Sequence, residues 1–77
     1  MRDDIKSLIA TSLKELRHDH KLTQNDLSNI CKVDTSTIVR YERNNVIMQI
    51  DTIIKILSAY DVDIFNFFEK IIAKTQK

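Results

Sequence analysis

The chain has 77 residues, 43% hydrophobic and 30% charged, with a formal net charge of +1 and neither glycine nor proline. A chain this short buries only about 60% of its extended surface, which excludes two independent cores and points to one domain spanning residues 1–77. No apolar run approaches the about 18 residues of a membrane span, so no membrane partner is expected, and the near-neutral charge excludes nucleic-acid binding by bulk electrostatics alone.

Ile5, Leu8, Ile9, Leu13 and Leu16 form one stripe at helical spacing, which predicts a first helix over about Asp4 to His18, capped by Asp3 or Asp4. Its other face, with Lys6, Lys14 and Glu15, reads as solvated surface. The N-terminal stretch has no signal-peptide core, so a cytoplasmic location is expected. His18, Asp19 and His20 lie close together, but no third ligand stands near them. They read as a polar loop, and neither metal nor cofactor is expected.

Thr23 and Asp26 have the spacing of a capping box, and Leu27, Ile30 and Cys31 follow at helical spacing, so a second helix should start after Thr23 and stop near Cys31 or Lys32. Cys31 faces inward there and reads as a small buried apolar group. Ser28 reads as a packing residue, since no histidine or acid is placed to activate it. Asp34 then caps a third helix ending at Arg43, with Ile38 and Tyr41 buried. Between the two helices there is room for only about three turn residues, the length that makes consecutive helices cross steeply as a helix-turn-helix. Thr35, Ser36, Val39 and Arg40 are left on a face the core does not need.

Val46 to Met48 is an apolar linker. Ile50, Ile53, Ile54, Ile56, Leu57 and Tyr60 cover more than one stripe of a fourth helix ending near Tyr60 or Asp61. Asp63 then caps a fifth helix, Ile64 to about Lys74. Its residues Ile64, Phe65, Phe67, Phe68, Ile71 and Ile72 exceed what so small a core can cover, and the excess marks a dimer interface. The fold class predicted is all-α, a compact five-helix bundle with no alternating strand pattern.

The ordered set Leu13-Lys14-Glu15-Leu16-Arg17, Leu22-Thr23-Gln24, Leu27, Val33, Ile38, Tyr41-Glu42-Arg43, the apolar helix Ile50 to Tyr60 and Asp61-Val62 resembles the helix-turn-helix domain of Cro and the lambdoid phage repressors. The resemblance runs from about Leu13 to Phe68 and implies that the third helix docks in the major groove of double-stranded DNA. It also implies an internal ion pair between Arg17 and Glu42 that ties the first helix to the reading helix. The family commonly places glycine near His20, at Lys32 and at Asn44, where a left-handed backbone is convenient. Asn44 and Asn45 tolerate that conformation, whereas at Lys32 it costs roughly 1 kcal/mol.

On this reading Thr35, Ser36, Val39 and Arg40 face base edges. The hydroxyls serve donor or acceptor edges, Val39 suits a thymine methyl, and Arg40 either clamps a guanine or meets a phosphate. Gln24 and the Thr23 amide region stand at a helix N-terminus suited to a phosphate, and Arg43, Asn44 and Asn45 follow the third helix as further backbone contacts. Thr37 completes the cap or touches a phosphate. From Lys32 to Asn45 three cations stand against two carboxylates, so few phosphates are neutralised per subunit and tight binding calls for a homodimer on a near-palindromic operator.

In size and in its fifth helix the chain looks most like the controller proteins of restriction-modification systems. Phage-type repressors share the pattern, and RNA polymerase joins the partners only if the protein activates. The rival from another class is an antitoxin or adaptor that covers a protein partner through the fifth helix. An enzyme is not expected, for want of a nucleophile-base pair, a glycine-rich phosphate loop or a metal-ligand cluster.

Overall fold

The computed structural model describes the backbone of residues 2–44 and 46–75 and the side chains of residues 5–44 and 46–74. Among the described residues five helices follow one another: α1 Arg2–Asp19, α2 Gln24–Cys31, α3 Thr35–Arg43, α4 Ile50–Ser58 and α5 Ile64–Thr75. No strand occurs among the described residues. The side chains of Asp3 and Asp4, and the whole of Asn45, lie outside them. Helix α1 runs somewhat further at each end than the apolar stripe requires. Among the described residues no helix is long and apolar enough to cross a membrane.

The core takes one face from each helix. Ile9 and Leu13 of α1, Leu27 and Cys31 of α2, Ile38 and Tyr41 of α3, Ile53, Ile56 and Leu57 of α4, and Phe67 and Ile71 of α5 are all buried. Helix α1 packs on α3 and α5, while α2 packs on α3 and α4. Phe67 and Ile71 were expected at an interface, and here the structure corrects the sequence. They lie one helical turn apart on the side of α5 that closes against α1, with only 5% and 2% of their surface exposed. Ile64 and Phe68 are half-buried, and Phe65 and Ile72 face outward.

Helices α1 to α4 are each followed by a left-handed residue that is not glycine. Lys21, Lys32, Asn44 and Asp61 all adopt left-handed backbone, at φ 57°, 63°, 58° and 59°. After α1 and α4 the chain closes in the same way: the Leu22 amide donates to the Arg17 carbonyl at 3.1 Å, and the Val62 amide donates to the Leu57 carbonyl at 3.2 Å. A hydrophobic residue just past a left-handed one, bonded back around the last turn, is the Schellman arrangement, and both Leu22 and Val62 pack on the core. Asp61 thereby stops α4 at Ser58, short of Tyr60, although Tyr60 still delivers its ring to the core.

At Lys32 the side chain is exposed and offers nothing to offset the left-handed strain. Lys32→Gly is therefore expected to raise stability by about 1 kcal/mol, less what the freer unfolded chain recovers. A shift of the urea midpoint to higher concentration at unchanged slope checks it; no shift would show the strain already relieved.

Candidate nucleic-acid interface

Helix α2 starts from a side-chain cap. The Thr23 hydroxyl accepts from the Asp26 amide and the Asp26 carboxylate accepts from the Thr23 amide, each at 3.0 Å, so the capping box is complete. These bonds, the backbone one first, hold the Asp26 carboxyl below its ordinary 3.8. Because the folded value is depressed, this contribution is present above 3.8 and disappears as pH falls through the lower folded value. A carboxyl-carbon NMR titration should place the Asp26 midpoint below 3.8, and an unshifted midpoint would mean the box is open in solution.

Asp34 occupies the N-cap position of α3, and its carbonyl accepts from the Ile38 amide at 3.1 Å, but its side chain makes no capping bond. Its position, not its carboxylate, starts the helix.

Helix α3 is held at both ends. Arg17 donates to both Glu42 oxygens, Nε to Oε2 at 2.8 Å and Nη2 to Oε1 at 3.0 Å, and its Nη1 donates to the Leu22 carbonyl at 2.9 Å. The two side chains are only 10% and 4% exposed. The hydrogen bond to Glu42 raises the Arg17 pKa against the opposing effect of burial. Gln24 joins them, its Nε2 donating to Glu42 Oε1 at 3.1 Å. One edge of the Gln24 side chain is therefore spent inside the protein, although the residue stays half-exposed at the start of α2.

Tyr60 lies beside this group and packs on the His20 ring at 4.6 Å between centroids. Burial first, and then the nearby Glu42 charge, push its phenol up to about 12. At the other end of the loop, the Tyr41 hydroxyl accepts from the Gln49 amide at 2.8 Å and fixes the entry to α4. Asn44 Nδ2 donates to the Ser7 hydroxyl at 3.3 Å, tying the exit of α3 to α1.

Ile38 and Tyr41 fix which way α3 is rolled, and the opposite side carries Ser36, Arg40 and Arg43, all exposed. Thr35, Thr37 and Val39 flank it, half-buried. Thr23 is exposed at the head of α2. Asn44 is largely engaged by the α3 terminus and Ser7, while Asn45 lies outside the described residues. His18 and His20 bond to Arg17 and to the Leu16 carbonyl, and no group of residues suited to a metal ion occurs among those described.

The sequence did not single out Asn25, whose Oδ1 accepts from the Thr35 hydroxyl at 3.4 Å. A signal was available: Thr35 and Glu42 share one side of α3, and the first two residues of α2 are both amides.

Residues 13–67, more than half of the chain, match the model of a helix-turn-helix family. The chain belongs to this helix-turn-helix family. Two solved structures resemble the helix-turn-helix protein with a TM-score of 0.83 and 27% identity over 95% of its length. The first is the restriction-modification controller protein C.Esp1396I, a tetramer in complex with its natural 35 base-pair operator, 96% of whose chain is covered. The second is a tyrosine-to-phenylalanine mutant of the same controller, with 92% covered. A comparison with curated proteins found no match. The fold is thus an all-α helix-turn-helix, and the protein is a DNA-binding regulator of that type.

Proposed function

We propose that the protein is a sequence-specific regulator of the restriction-modification controller kind, binding a near-palindromic duplex operator as a homodimer in the bacterial cytoplasm. The observation that carries this reading is the outward face of α3, where Ser36, Arg40 and Arg43 project from a helix rolled into place by its core residues and clamped through Glu42. Arg40 supplies the strongest base contact, a guanine clamp worth about 1 to 3 kcal/mol. Ser36 and Thr35 add hydroxyls at the helix start, and Thr23, Gln24, Thr37 and Arg43 hold the backbone, whereas Asn44 has its amide and side-chain donors occupied within the protein.

The dimer face proposed here is narrower than α5 and wider than one helix. Ile50 and Ile54 of α4 join Ile64, Phe65, Phe68 and Ile72 of α5 around an apolar groove of about 490 Å³. Phe65 is 80% exposed, an unusual state for an aromatic ring on a small protein. A second copy covering that groove sets two reading helices toward successive major grooves about 34 Å apart.

A mobility-shift titration tests the reading, using duplex from upstream of the gene and a scrambled duplex at two salt concentrations. The wild type should prefer the specific duplex, and Arg40→Ala combined with Ser36→Ala should lose about tenfold or more on that duplex alone. Equal binding to both duplexes, or no loss in the double variant, rules the operator reading out.

A further inference from the structure

We propose that Asn25 sets the base preference of Thr35, an assignment that rests on the operator reading above. Gln24 and Asn25 open α2 and reach α3 at points about two helical turns apart, Gln24 to Glu42 and Asn25 to Thr35. Glu42 anchors the far end of the helix, and Asn25 meets the end that enters the groove.

A threonine hydroxyl has one proton and two lone pairs, so a free one serves donor and acceptor edges alike. Thr35 Oγ1 gives its proton to Asn25 Oδ1. What remains for the groove is an acceptor. In the major groove the exocyclic amino groups of adenine and cytosine are the donors, whereas guanine presents acceptors and thymine an acceptor beside its methyl. Thr35, oriented by Asn25, therefore selects a base bearing an amino group. Asn25 is exposed and so replaceable without disturbing the core.

The test uses the full chain and operator duplexes carrying each of the four base pairs at the position whose preference Thr35→Val erases. Wild type should bind the adenine or cytosine duplex about fivefold or more tighter than guanine or thymine. Asn25→Ala should shrink that ratio to about twofold or less, because the hydroxyl regains its freedom to donate. Asn25→Asp should keep the ratio, since a carboxylate still accepts from Thr35, while weakening all four duplexes together by repelling phosphate.

The assignment is overturned if Thr35→Val erases no preference, if Asn25→Ala leaves the ratio intact, or if guanine or thymine is preferred. The last result would mean that Asn25 donates to Thr35. Each of these can occur with specific binding retained and leaves the operator reading standing. Loss of specific binding by the wild type would remove both.

Discussion

Glu42→Ala is expected to lower stability by about 3 to 5 kcal/mol, because it strands the buried Arg17 guanidinium without its counter-charge. A 77-residue domain holds only about 4 to 12 kcal/mol in total, so the variant should be partly unfolded at room temperature or melt well below wild type. The pair itself adds far less than its removal takes away, since desolvation of the two charges offsets much of their attraction. Replacing both members, as Arg17→Met with Glu42→Leu, should therefore recover most of the stability. It should not recover operator binding. Without the bidentate clamp and the Gln24 bond, α3 keeps its apolar contacts but loses the polar ones that tie its far end to α1 and α2 and so fix the angle at which the whole helix is presented. Denaturation curves and duplex titrations on the two variants separate these effects. Full DNA affinity in the double variant would show that the clamp serves folding alone.

Phe65→Asp is the second large effect. Its ring is 80% exposed in one chain, so a charge there leaves the core intact while placing an unpaired carboxylate in the proposed dimer face. Interface aromatics of this kind are worth about 2 kcal/mol or more, which weakens association by about thirtyfold or more. The variant should keep the wild-type helical circular-dichroism spectrum, melt lower only by what association contributes to the wild type, sediment as a monomer at concentrations where wild type is a dimer, and give a footprint reduced to one weak patch. Phe67→Asp, by contrast, should simply unfold, because that ring is 5% exposed inside the core. A wild type that sediments as a monomer at micromolar concentration would refute the dimer.

The contrast between Phe65 and Phe67 marks where sequence reasoning ran out. Local rules located all five helices, because cap residues and 3.6-residue periodicity are properties of one segment. Thr23 with Asp26 gave the start of α2, and Asn44 gave the end of α3. Which side of α5 meets α1 depends on how two distant helices rotate against each other, and six apolar residues crowded into nine positions leave that angle open. The left-handed Asp61 was hidden for a related reason. The apolar pattern runs on through Tyr60, so the side chains look helical where the backbone has already turned. In the site, the exposure of Ser36 and Arg40 was legible, since Ile38 and Tyr41 define the opposite side. The long-range polar bonds from Gln24 and Asn25 were not, because nothing in local spacing says which amide reaches which partner.

The outward face of α3 is most directly tested by amide chemical-shift mapping of the ¹⁵N-labelled protein as duplex operator is added. The expected result is a contiguous set of perturbed amides over α3 and the head of α2, from Thr23 to Asn25 and Thr35 to Arg43, with the outer side of α5 unaffected beyond its dimer contacts. Perturbations confined to α4 and α5, with Ser36 and Arg40 unmoved at saturation, would contradict it.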